Sequence, residues 1–521
     1  MKRTVIKNGM LLDGSGGQVK KGDILIEDDR IVEIGEFSDL QADIEIDATN
    51  KAVSPGFIDI HSHADASLPL APYAESDAYQ GITTVVTGQC GFSPAPLSPE
   101  TRESFLEGLG DTSASKLWEK VDSFGSFLDL LEKQGISINV EPLVGHGTIR
   151  IAVMGYSDKR PTEEQIEAMQ RYAERAMDEG AIGISTGLIY PPGYYSTTEE
   201  LIEVTRPVAQ KGGLYFSHVR GEGAELLTSI EEEMRIARAT GAAVQHSHYK
   251  ASGEANWGNS SRGLELIDRA RAEGIDMTVD MYPYIASSNG LIDSLPDWSR
   301  EGGLAKTMLR LKDPQERQRI RQTMERNDWS KNLLAGSPNP AHVGRYVADL
   351  AAEANQDPAE WVLDALLETN GSIDRIAFGM SEENVKMQLQ YAHMMIGTDG
   401  YGIPPEGPLS EGAPHPRSFG TFPRVLGKYV REENVLTLEK AIRKMTAMPA
   451  EKLGLKDRGY LMPGYKADIV VFDPLTVKDQ ATFVNPKQYP LGIEQVFVNG
   501  QLVIRDGMHT HALAGRILSR S

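Results

Sequence analysis

Two histidines separated by a single serine, His61 and His63, are the first residues in this sequence that could do chemistry. On a strand, residues two apart point to the same side, so both imidazoles face one way. Two neutral nitrogens a few ångströms apart suit a divalent ion of the zinc kind. An H-x-H pair also arises by chance, so it carries weight only in company. Cys90, the sole cysteine, is part of that company. A lone cysteine often serves as a small buried filler, but this one closes the apolar run TTVVTGQC as the histidines close theirs. A thiolate there would bind zinc at about 2.3 Å. His218 ends LYFSHV, and His246 and His248 end AAVQHSHYK. The last two share a side of their strand; His248 lies nearer its end, and His246 reads as a hydrogen-bonded histidine one layer deeper. Asp399, in MMIGTDG, would by itself be a cap or turn residue before glycine. Beside a ligand cluster it is a natural general base for a metal-activated water.

The elements that must gather these residues are legible as strand–helix units. Thr162-x-x-Gln165 is a capping box, Ile166, Met169, Ala173 and Ala176 share one helical face, and Gly180 supplies the stop. AIGIST follows as a strand, then Thr197-x-x-Glu200 opens another helix that Gly212-Gly213 ends. Eight strand candidates occur: GFIDIHSH, TTVVTGQC, INVEPLVGH, AIGISTG, LYFSHV, AAVQHSHYK, DMTVDMYPY and MMIGTDG. Repeated units of this kind imply a parallel sheet. Eight of them, without a Gly-rich phosphate loop after the first, predict an α/β fold with a closed (β/α)8 barrel of the TIM type. Such barrels place their chemistry at the C-terminal ends of the strands, where the candidate ligands fall.

The two ends of the chain read differently. Residues 1–54 and 451–521 are rich in short alternating strands, with Asn8-Gly9 and Asn499-Gly500 as expected hairpin turns. Together they predict one small β-sandwich domain assembled from both termini around a barrel spanning 55–450. Residues of about 291–345, rich in Arg, Lys, Glu and Gln, read as a solvated helical insertion between the seventh and eighth strands.

Composition excludes several classes. With 53 Lys+Arg against 74 Asp+Glu the formal net charge is −21, which argues against a nucleic-acid partner. One cysteine excludes an internal disulfide. No run of 18 apolar residues and no secretory signal is present, so neither a membrane span nor export is expected; the expected location is the cytoplasm.

PGFIDIHSHAD, GQCG, FSHVRGEG, HSHYKASG, IGTDG and GYLMPGYKADIVVFDP resemble the amidohydrolase superfamily, and within it the D-aminoacylases, the N-acyl-D-amino-acid deacylases. GQCG and HPRSFGTFPRVLG mark this branch. The resemblance covers nearly the whole chain. Many superfamily members bridge two metals with a lysine on the fourth strand; AIGISTG has none, and in this branch the strand-two cysteine replaces it. The resemblance implies a tight zinc on Cys90, His218 and His248. It implies a second, weaker site on His61 and His63, with Cys90 able to bridge, and Asp399 as acid/base. It also implies Lys250 as a clamp for the substrate carboxylate, aided by Tyr190 and Ser287. The implied reaction is hydrolysis of small N-acyl-D-amino acids to a carboxylate and a free D-amino acid. An apolar D side chain is the default, since an acidic one needs a further cation, for which Arg220 and Arg417 are candidates. The rivals are a D-residue dipeptidase, a cyclic amidase of the hydantoinase or dihydroorotase kind, which expects the missing lysine, and a non-catalytic scaffold, which expects missing ligands.

Overall fold

Eight parallel strands close a barrel in the computed structural model, which describes residues 2–37, 40–99, 101 and 121–520. They are Phe57–Asp59, Ile82–Thr87, a bent third strand made of Asn139–Pro142 and Val144–Gly145, Gly183–Gly187, Leu214–His218, Val244–His246, Met277–Met281 and Met394–Ile396. Each pairs in parallel with the next. The third strand turns at Leu143, just after Pro142, which has no N–H for the ladder. Its first half pairs with the second strand and its second half with the fourth.

The last gap, between the eighth strand and the first, closes only at the C-terminal rim. Asp399 N donates to His61 O and His63 N to Gly400 O, both at 2.7 Å. Asp59 ties the same seam from within. Its Oδ1 accepts from His61 N at 3.0 Å and Thr398 N at 2.9 Å, and its Oδ2 from Thr398 Oγ1 at 2.5 Å.

The helices form as their sequences require. Glu163–Glu179 begins at the reciprocal Thr162–Gln165 box, buries Met169, Ala173 and Ala176, and stops at Gly180 in the left-handed conformation. Thr197 caps Thr198–Gln210 through Glu200 N.

Strands from both termini share a single nine-stranded sheet, joined where Ala52–Pro55 runs antiparallel to Ile469–Phe472. Alternate residues serve two cores. Val470 and Phe472 pack on the barrel side, while Ile469 and Val471 pack with Ile6, Ile24, Ile26 and Phe497. Asn499-Gly500 is the expected hairpin turn between Ile493–Val498 and Gln501–Arg505. Asn8-Gly9 is not a turn. It lies inside the nine-residue strand Arg3–Leu11, where the register slips between Ile6 and Gly9. Asn8 takes φ 62° there, its N–H held by Asp23 Oδ1 at 2.7 Å. A bulge needs the same left-handed residue that a turn does.

The insertion between the seventh and eighth strands also differs from expectation. It contains an antiparallel sheet of Ala286–Gly290, Asp374–Phe378 and Asn332–Gly336 in that order. Its helices enclose an apolar core that includes Leu311, Ile320, Val347, Trp361 and Leu366. The charged stretch Pro314–Met324 is amphipathic, burying Ile320 and Met324, while Arg317 pairs with Glu360 and Asp364 of the neighbouring helix. No helix of the described residues is long and apolar enough to cross a membrane.

Candidate metal centre and active site

Six side chains, His61, His63, Cys90, His218, His248 and Asp399, converge at the C-terminal mouth of the barrel. Cys90 Sγ lies 3.4 Å from both His61 Nε2 and His248 Nε2. Asp399 Oδ1 lies 3.1 Å from His63 Nε2 and 3.5 Å from His61 Nε2. Two ligand groups result, His61/His63/Cys90/Asp399 and Cys90/His218/His248. Within each, one candidate ligand atom per residue lies within 4.8 Å of the others. Cys90 belongs to both groups. His246 stands apart, its Nδ1 2.7 Å from Glu233 Oε2.

The backbone is bent to make this possible. Cys90 (φ 55°), His248 (φ 35°) and Asp399 (φ 49°) all occupy the left-handed region, which costs about 1–3 kcal/mol for each such residue. Glycines give Cys90 its place. A Cβ on Gly88 would sit 1.9 Å from Leu143 O, and one on Gly187 1.9 Å from Cys90 O.

The donor set fits a zinc-like ion. His218 is buried, and neither of its ring nitrogens has a hydrogen-bond partner, an expensive state that ligation relieves. Burial holds its pKa down to about 4, so it is a neutral donor. Burial pushes the Cys90 thiol well up, with the nearby Asp399 charge adding to it; a coordinated cation reverses this, since a ligating thiol is deprotonated.

A shell of carboxylates orients the imidazoles. Asp280 Oδ1 accepts from His248 N at 2.7 Å and faces His61 Nδ1 at 3.3 Å. Glu222 Oε1 lies 3.0 Å from His248 Nδ1, 3.7 Å from His218 Nε2 and 2.6 Å from Lys250 Nζ. A carboxylate on the outer nitrogen of an imidazole leaves the other free for an ion.

Of the residues expected to clamp the substrate, Tyr190 lines the cavity beside the cluster, its ring 5.0 Å from that of His218. Lys250 is buried behind His248, its Nζ 2.7 Å from His248 Nδ1 as well as on Glu222. Ser287 lies on the insertion's first strand, next to Ser288, Asn289 and Gly290, which line the cavity. The cation that lines it is Arg417, whose Nη1 donates to Asp399 Oδ2 at 2.6 Å and whose guanidinium lies 4.9 Å from the Tyr282 ring centre. Burial would raise the Asp399 carboxyl, but Arg417 and the histidines around it hold it well below the usual range. The cavity measures about 590 Å³. A cavity of about 670 Å³ around Leu436 and Lys444 contains none of these side chains.

Fold and site together define a barrel hydrolase of the metal-dependent kind. A model of the amidohydrolase family matches residues 45–504. The D-aminoacylase of Alcaligenes xylosoxydans xylosoxydans is 39% identical over 99% of this chain and 97% of its own. A solved D-aminoacylase with a binuclear metal centre, described as showing one-metal activation and second-metal attenuation, is 36% identical. It superposes with a TM-score of 0.84 over 99% of both chains. The N-acyl-D-glutamate deacylase of Bordetella bronchiseptica, solved with zinc and a phosphonate mimic of the tetrahedral intermediate, is 35% identical. Its TM-score is 0.83 over 100% of both chains. The chain belongs to the amidohydrolase family and to its D-aminoacylase branch.

Proposed function

We propose that this enzyme hydrolyses the amide bond of N-acyl-D-amino acids, with zinc held tightly by Cys90, His218 and His248. A second, weaker site on His61 and His63 shares Cys90. The observation that carries the reading is Cys90 standing between two histidine groups, with Asp399 and Arg417 facing the same cavity. Zinc held there supplies Lewis-acid polarisation of the amide carbonyl and lowers the pKa of water toward about 7.

The chain's own groups do the rest. Asp399, kept ionised by Arg417, takes the proton of the attacking water on a carboxylate oxygen and returns it to the departing nitrogen. Arg417 lines the cavity and receives the substrate carboxylate, a role that net charge alone would oppose. Lys250 secures Glu222 and His248 behind the metal, and Tyr190 closes the wall beside His218. Cation, metal and side-chain pocket make three points of attachment, which is what reading a chiral centre requires. The proposed compartment is the cytoplasm, where reducing conditions keep the Cys90 thiol free.

The test is zinc per chain measured together with hydrolysis of N-acetyl-D-methionine and its L-enantiomer. D-selective release by zinc-loaded enzyme is expected. Zinc-loaded enzyme that hydrolyses neither, or prefers the L-form, overturns the proposal.

A further inference from the structure

The cavity of about 670 Å³ around Leu436 and Lys444 opens at the end of the barrel opposite the metal centre. Gln390 and Ala392 line it just before the eighth strand, Met394–Ile396, whose far end leads to Asp399. Its size falls within the roughly 300–1,000 Å³ of small-molecule sites. Part of the wall is apolar, formed by Val430, Val435, Leu436, Leu438 and Met448.

The rest is polar, and its charges are all of one sign. Lys440, Arg443 and Lys444 line the cavity, and among the described residues no Asp or Glu does, although the chain carries 74 of those against 53 Lys+Arg. Arg443 is engaged with Glu451 at 3.0 Å. Lys440 and Lys444 are four apart on the helix Leu438–Met445 and so share a face, a placing of like charges that disfavours the helix. Lys440 is exposed. Lys444 is 5% exposed, and its ammonium donates to Tyr391 O and to Met394 O, the latter at 3.0 Å. An ammonium has three N–H donors, so one remains, and no carboxylate among the described residues pairs with it. Burial, with Lys440 and Arg443 nearby, holds its pKa down to about 8. A buried charge without a counter-charge is costly, and an anion in the cavity supplies one.

We propose that this cavity is a second ligand site, separate from the metal centre, that takes a small amphipathic anion. Its carboxylate or phosphate head sits on Lys440 and Lys444, and its apolar tail lies along Val430, Val435, Leu436 and Met448. The site is independent of what the metal centre hydrolyses. A carboxylate and a phosphate ester offer the lysines the same charge, so the test separates them.

Zinc-loaded, full-length enzyme is titrated calorimetrically with octanoate, octyl phosphate, butyrate and octylammonium. Zinc attracts the same anionic heads, so the site is counted by difference. Lys440→Glu, at an exposed position outside the catalytic machinery, removes one binding event, leaves any at the metal in place and leaves hydrolytic activity unchanged. Lys440→Arg, which keeps the charge, retains that event. The tighter of the two eight-carbon anions shows which head the lysines take. Octanoate outbinds butyrate there by about tenfold or more, since each buried methylene is worth roughly fourfold, and octylammonium stays out. Parent and Lys440→Glu enzymes that bind the same number of anions with the same affinity overturn the proposal. So does a parent enzyme that binds neither eight-carbon anion, a site that Lys440→Arg also loses, or one that octylammonium fills or butyrate fills as tightly as octanoate.

Discussion

Asp399 and Glu222 are both carboxylates close to the metal centre, yet they have different work to do. In the proposed mechanism Asp399 moves a proton, so Asp399→Asn should keep the shape and lose the function. Turnover should fall by about 10²–10⁴-fold while zinc content stays that of the parent; near-normal kcat would remove Asp399 from the mechanism. Glu222 touches no substrate in the proposed scheme and acts by aiming His248 and His218. Glu222→Gln should therefore weaken zinc retention against a chelator by about 10–100-fold, with activity restored by excess zinc. Unchanged zinc affinity would contradict that positioning role. The ligand-type residues were legible because histidine and cysteine at strand ends are uncommon enough to notice. Glu222 and Asp280 were not, since with 74 acidic residues in the chain one more beside a histidine carries no signal. Arg417 was visible only as a candidate extra cation, because its partner Asp399 lies 18 residues away across a loop.

At the scale of elements, the seam between the eighth and first strands is the part most dependent on single residues. Asp59 accepts three hydrogen bonds there while fully buried. Asp59→Ala leaves two backbone N–H groups and a hydroxyl without their acceptor. At about 1–3 kcal/mol for each unsatisfied buried group, partly offset by relaxation, the loss should be about 2–5 kcal/mol in urea unfolding. A change below 0.5 kcal/mol would show that the rim bonds alone hold the seam. The seam residue was not readable, because its partner Thr398 is remote in sequence. The barrel strands and the capped helices were readable, since buried parallel strands are nearly all apolar and capping boxes are local. The insertion's strands were hidden for the opposite reason: ASSNG and DRIAF carry serine, asparagine and charge where a strand pattern needs alternation. Asn8-Gly9 misled because a turn and a bulge demand the same backbone.

At the scale of the whole molecule, buried charge sets a pH limit. Glu141, on the third strand, has its pKa pushed up to about 8 by burial, with Arg458 opposing. A carboxyl raised on folding gives stability that is complete below its unfolded pKa of 4.5 and is lost as pH climbs through about 8. Stability should thus fall by up to about 1.4 kcal/mol per pH unit across that window. Glu141→Gln should flatten the slope between about pH 5 and 8, and an identical slope in both proteins would rule Glu141 out as its source. The sheet built from both ends of the chain carries a different consequence, one that belongs to birth rather than to chemistry. The Ala52–Pro55 strand leaves the ribosome long before Ile469–Phe472 exists to pair with it. At 5–20 residues per second the wait lasts on the order of tens of seconds. Throughout it a bare strand edge is open to pairing with neighbouring nascent chains, so the yield of active enzyme from a crowded polysome should depend on how quickly translation finishes.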